Sequence, residues 1–247
     1  MTTINLKVPS SWGELTQEQL RQVYLLMVRH GSDPAAWIKV AANAVYRWNG
    51  IKIVSPYGRN FLIRVDTREY VMATTEYSDV CRSLAWLREI PSEPVRLEHI
   101  DGYLAMPADP TYDLTFEQWL SVENLYQGYH YTQDNDLLRQ IAGVLYRRED
   151  ITITPSEEIS VFYWWSSVKR MVSAMFPSFF RPAPVGSSDT PDFDTVRRSV
   201  DSQIRALTKG DISKEEKIMA MPAIRALTEL DAQAREYEEM NRKYPSK

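Results

Sequence analysis

The sequence predicts a mainly α-helical protein: a duplicated helix–helix–strand unit, a small β-hairpin in its first copy, and a C-terminal helical hairpin. Three observations carry that expectation. Apolar residues recur at i, i+3, i+4 and i+7 through most of the chain. Only 9 Gly stand beside 14 Pro, 7 Trp and 14 Tyr, a balance that suits packed helices with defined breaks. Two segments 99 residues apart also open in the same way, Leu15-Thr16-Gln17-Glu18-Gln19-Leu20 and Leu114-Thr115-Phe116-Glu117-Gln118-Trp119. In each, Thr can cap a helix, Gln three places on can reach back to it, and the flanking apolar residues can form a staple. The match continues at Val23/Val122 and Leu26/Leu125, then at an offset of 100 through Ala42/Ala142, Tyr46-Arg47/Tyr146-Arg147, Ile51/Ile151 and Ile53/Ile153. Unrelated positions agree about one time in sixteen at ordinary composition.

The elements follow in order. Thr16 opens a helix with Leu20, Val23, Tyr24 and Met27 on one stripe, and Gly31 ends it. Asp33-Pro34 restarts a helix through Trp37, Val40, Ala41, Ala44 and Val45. After Asn49-Gly50 the period changes to two, so Ile51, Ile53 and then Phe61, Ile63, Val65 read as a hairpin across Ser55-Pro56-Tyr57-Gly58. A third helix is expected from about Glu76 to Glu89, stopped by Pro91. The second unit repeats the plan with a helix from Phe116 to about Tyr126, a turn at Gln127-Gly128, a helix through Leu137, Ile141, Val144 and Leu145, and a short strand at Ile151/Ile153. Thr154-Pro155-Ser156-Glu157 then caps a long helix reaching Met175. In the last part, Val196, Val200, Ile204 and Leu207 line one helix that Gly210 ends, and Pro222 should kink or divide the next. There Ala223, Leu227, Leu230, Ala234 and Tyr237 step at heptad spacing. The expected boundaries are residues 1–92 for the first unit, 93–110 for a proline-rich connector, 111–180 for the second unit, 181–191 for a linker and 192–247 for the terminal hairpin.

Composition narrows the function. A chain that is 44% hydrophobic and 11% aromatic is not a disordered one, and a net charge of −4 sets up no global field for nucleic acid. The lone Cys81 allows no internal disulfide and reads as an inert core thiol in a reducing compartment. The first residues lack a basic region followed by an apolar stretch, and no apolar tract is long enough for a membrane span. A soluble, intracellular protein is therefore expected. No phosphate-binding glycine loop, dinucleotide fingerprint, Gly-x-Ser-x-Gly or His-Glu-x-x-His is present. The expectation is accordingly no catalytic, cofactor or metal site. Glu98-His99-Ile100-Asp101 is the one cluster with acid–base or ligand groups, and its plainer reading is a polar connector. Tyr126 to Tyr131 sets three tyrosines and His130 around an expected turn, better suited to packing than to stacking nucleobases.

Two aromatic runs, Phe162-Tyr163-Trp164-Trp165 and Met175-Phe176-Pro177-Ser178-Phe179-Phe180, point beyond a single core. Helical neighbours face about 100° apart, so such a run must cover a second surface. Contact with protein fits better than membrane docking, for which Lys169 and Arg170 supply too little charge. The candidate partner-binding residues are Trp164, Met175, Phe179, Phe180, Leu227, Leu230 and Tyr237. The charged residues of the last helix, Asp231 among them, read either as a solvated face or as charges that set partner choice.

The strings Pro94-Val95-Arg96-Leu97, Asn124-Leu125-Tyr126-Gln127-Gly128-Tyr129 and Leu145-Tyr146-Arg147-Arg148 resemble small helical proteins of phage and prophage tail morphogenesis, tail-assembly chaperones in particular. The segment Arg225-Ala-Leu-Thr-Glu-Leu-Asp-Ala-Gln-Ala-Arg-Glu236 is similar to strings from that setting too. What the resemblance implies is a non-enzymatic assembly factor, or a minor virion component, whose partner is a virion or tail protein or a second copy of itself. The alternative is a nucleic-acid-associated helical module using Arg197, Arg198, Arg205 and Lys209. An enzyme built on Glu98, His99 and Asp101 comes third.

Overall fold

The computed structural model describes residues 5–180 and 193–243, with backbone alone over 193–199. It is mainly helical, with a small three-stranded antiparallel sheet. The order is α1 (Gln17–His30), α2 (Pro34–Trp48), β1 (Ile51–Tyr57), β2 (Asn60–Val65), β3 (Arg68–Ala73), α3 (Thr74–Ser83), β4 (His99–Ile100), β5 (Tyr103–Leu104), α4 (Phe116–Thr132), α5 (Asn135–Leu145), α6 (Pro155–Met175), α7 (Phe193–Thr208), α8 (Glu215–Met219) and α9 (Ala223–Lys243). The chain divides into two compact units. Of the described residues, one unit holds those up to Pro91 and Thr154–Tyr163; the other holds Ser92–Ile153 and those from Trp164 on. The expected boundaries differ at two places. Residues 93–110, expected as a connector, fall within the second unit, where Leu97, Ile100, Ala105 and Met106 are buried. The terminal helices belong to the second unit rather than standing apart. The linker expected at 181–191 lies outside the described residues.

In the first unit, Thr16 caps α1 with the full reciprocal pair: the Gln19 amide N–H donates to Thr16 Oγ1 at 3.3 Å, and the Thr16 N–H donates to Gln19 Oε1 at 2.9 Å. Asp33 Oδ1 accepts from the N–H groups of Ala35 and Ala36, both at 3.0 Å, and starts α2 with Pro34 in its first turn. β1 pairs with β2 as expected, but it runs on to Tyr57, and the chain turns at Gly58-Arg59, where Gly58 takes φ +61. A third strand, β3, follows through Asp66-Thr67, with Asp66 at φ +52. The expected helix to Glu89 is shorter: α3 ends at Ser83, and a 3-10 turn over Ala85–Arg88 carries Leu87 into the core. Trp12, Tyr24, Trp86 and Tyr163 pack around one another, with Trp12 5.4 to 5.8 Å from each of the other three rings.

In the second unit, Thr115 and Gln118 repeat the capping pair at 3.0 and 3.2 Å. α4 continues past Gln127-Gly128 to Thr132, so the expected turn is displaced. Gly128 is a close approach: a Cβ there would lie 3.1 Å from Leu137 Cδ1 of α5. The true stop is Gln133, left-handed at φ +56, whose side-chain amide donates to the Tyr129 and His130 carbonyls. Ile151 is buried but forms no strand with Ile153; the chain passes straight to α6, and the Thr152 N–H donates to Asp101 Oδ2 at 3.3 Å. Pro222 separates α8 from α9. The residues around it are stitched to the start of α4: the Phe116 N–H donates to the Met221 carbonyl, the Ala223 N–H to the Leu114 carbonyl, and the Ile224 N–H to the Thr111 carbonyl, at 2.8 to 3.0 Å. The terminal hairpin therefore folds back on its own chain.

Candidate functional site

Of the seven candidate contact residues, three lie inside the second unit. Trp164 is buried, its ring edge-on to Tyr146 at 6.0 Å and its Nε1 donating to the Ala108 carbonyl at 2.7 Å. Leu227 and Leu230 are buried on the inner side of α9. These three form the chain's own core and present nothing to a partner in this conformation. Phe179 and Phe180 pack edge to face at 4.8 Å and are half-buried. Met175 and Tyr237 are exposed, at 44% and 63%, and Met240, one turn beyond Tyr237, is exposed at 58%. Sequence reading passed over Met240 because it falls off the heptad line.

The aromatic run on α6 finds its second surface within this chain. Tyr163 packs against Trp12 and Tyr24 in the first unit. In the second, Trp165 lies 5.0 Å from Trp119 and donates from Nε1 to Glu123 Oε1 at 2.8 Å. Glu123 Oε2 accepts from Lys169 Nζ at 2.5 Å, and that ammonium stands 5.1 Å over the Tyr126 ring. The Tyr126 hydroxyl bonds to Ser166 Oγ at 2.7 Å. Burial raises the Tyr126 pKa. His130, edge-on to Tyr126 at 4.6 Å, has its pKa lowered by desolvation first and the Lys169 charge second. The tyrosines from 126 to 131 thus ride on a helix and its end, not around a turn.

Glu98, His99 and Asp101 flank the β4–β5 turn, where Asp101 and Gly102 both have positive φ. All three side chains are exposed. Among the described residues no group of three or more His, Cys, Asp or Glu side chains is arranged to hold a metal ion. Arg205 and Lys209 are exposed near the end of α7, while the side chains of Arg197 and Arg198 lie outside the described residues. Cys81 is half-buried, with its thiol pKa pushed up by burial. No described helix is long and apolar enough to cross a membrane.

In the first unit a groove of about 610 Å³ runs along α1 and α2, and a second hollow of about 600 Å³ lies beside the β1–β2 turn at Gly58-Arg59. Leu25, Leu26 and Trp48 supply the apolar lining of the α1–α2 groove, and Trp48 is held by an Nε1 bond to Gln22 Oε1 at 2.6 Å. Arg29 and Arg47 line it as well. Both are exposed, and among the described residues neither has an ion pair or a side-chain hydrogen bond. Arg147, the match to Arg47 in the second unit, pairs with Asp113 at 3.2 Å. Leu25 and Leu26 fall off the Leu20–Met27 stripe, and only the α1–α2 geometry gathers them with Trp48.

No protein family, curated protein or solved structure matches this chain, so the resemblance to tail-assembly chaperones rests on the quoted strings alone.

Proposed function

We propose that this is a non-enzymatic phage or prophage protein of assembly or structure, a tail-assembly chaperone or minor virion component. It acts by helix-mediated contact with a virion or tail protein, or with a second copy of itself, in the host cytoplasm or in the particle. The observation that carries this reading is the far end of α9. Beyond Asp231 the helix leaves its packing, and Tyr237 and Met240 stand exposed one turn apart. An i, i+3 apolar pair on an exposed helix is the kind of anchor a partner's groove takes up.

Duplication of one helical unit is part of the same proposal. The matched pairs Leu20/Trp119, Val23/Val122, Ala42/Ala142, Tyr46/Tyr146 and Ile51/Ile151 are buried in both copies. In each copy the first helix starts on a Thr capping box and the second on an Asp cap, Asp33 or Asp134.

The test is a capture comparison from a phage-producing host. Tyr237→Asp combined with Met240→Asp is expected to keep the helical circular dichroism and Tm of the parent while losing the virion protein that the parent retains. Undiminished capture by the double variant removes this surface from the account.

A further inference from the structure

The groove of the first unit has two properties that select its occupant. Its lining offers apolar contact through Leu25, Leu26 and Trp48, and Leu25 remains 39% exposed although it lies in a packed helical pair. Its two guanidinium groups, Arg29 and Arg47, lack any acidic partner among the described residues. The one acid in the lining, Glu18, accepts from Gln22 Nε2 at 3.4 Å and lies eleven residues before Arg29, roughly 16 Å along the helix axis. The basic and acidic ends of α1 are thus separated, and the pair of arginines faces the groove unopposed. In the second unit the matched Arg147 pairs with Asp113, whereas Arg47 has no such acid beside it among the described residues.

We propose that the α1–α2 groove docks an acidic amphipathic helix of a protein partner, its apolar face on Leu25, Leu26 and Trp48 and its flanking carboxylates on Arg29 and Arg47. This rests on the reading above that the protein works by protein contact, and names a second contact surface and the partner's chemistry. Arginine suits the role because its planar fork holds a carboxylate bidentately. Opposite charges across an interface select partners chiefly by excluding those of the wrong sign.

Two fluorescein-labelled synthetic helices of about 16 residues, roughly 24 Å long, test it. They share a leucine face and differ in carrying Glu or Lys at the flanking positions. Fluorescence anisotropy with the full chain is expected to show the Glu peptide binding at least about tenfold tighter than the Lys peptide. Arg29→Glu with Arg47→Glu should reverse the preference, and Trp48→Ala should weaken both peptides. If the double charge reversal does not fold, Arg29→Gln with Arg47→Gln should abolish the preference without reversing it. Equal binding of the two peptides, a preference unchanged in the folded variants, or no binding of either overturns the proposal. Capture of a virion protein by the Arg29→Glu/Arg47→Glu chain at parental level also overturns the groove while leaving the assembly reading standing.

Discussion

Asp231 sits among the charged residues of α9, where a sequence reading places it on a solvated or partner-facing surface. Instead it is buried, and its Oδ1 accepts from the N–H groups of Ser178 and Phe179 at 2.8 and 3.0 Å. Those partners lie more than fifty residues away in sequence, so no local pattern reveals the role. Asp231→Ala should leave two backbone donors unsatisfied and lower stability by about 1–3 kcal/mol in urea titration. Asp231→Asn, which keeps an acceptor oxygen, should cost less. Since the same contact fixes Phe179, aspartate substitutions at Phe179 and Phe180 test folding as well as docking. His130 gives a pH signature. Its folded pKa is depressed below the ordinary value near 6.5, so the unfolded chain takes up the proton first as pH falls. Stability should be unaffected by this residue above that pH and should decline as pH drops through the window between the unfolded and folded values. His130→Asn should therefore narrow the difference in Tm between pH 7 and pH 5.

At the scale of elements, helix starts were legible because their chemistry is local. Thr16, Asp33 and Thr115 all cap where residue type and spacing place them, and Gly31 ends α1, whereas the Asp134 cap of α5 was hidden by the turn expected at Gln127-Gly128. Thr16→Ala and Thr115→Ala should each cost about 1 kcal/mol, read as a lower thermal midpoint by circular dichroism. Stops and strands were less legible. Gly128 resembles a breaker, but it serves a close helix–helix approach that only the α4–α5 packing requires. β3 was missed because its turn, Asp66-Thr67, has no glycine and because Arg68-Glu69-Tyr70-Val71 alternates weakly. Between α4 and α6, Glu123 serves both Trp165 and Lys169 while most of its side chain is covered. Glu123→Ala should lower stability by about 1–3 kcal/mol, because it strands a half-buried ammonium and an indole N–H. A paired Glu123→Ala/Lys169→Met replacement should recover part of that loss.

For the whole molecule, the helical class and most helix positions follow from the 3.6-residue pattern, whereas the division into units does not. Proline content suggested a connector between units at 93–110, yet Leu97 and Ile100 are core residues of the second unit and Tyr146 donates from its hydroxyl to the Leu97 carbonyl at 2.7 Å. The heptad on α9 suggested a seam offered outward, and its first half is folded inward instead, leaving Tyr237 exposed. Periodicity identifies an apolar face but not what covers it. The same limit explains why Trp164, Leu227 and Leu230 read as contact residues and lie in the core, while Met240 and the Leu25–Trp48 groove went unread. Surfaces that remain after folding are defined by tertiary packing.

The central claim is that this chain works by holding another protein. Affinity capture of the full chain from a host producing the phage, with mass spectrometry of what is retained, tests it most directly. A virion or tail protein recovered at near-equal amount is the predicted result. A chain that returns with nucleic-acid machinery, or with no protein at all while remaining monomeric, contradicts the account.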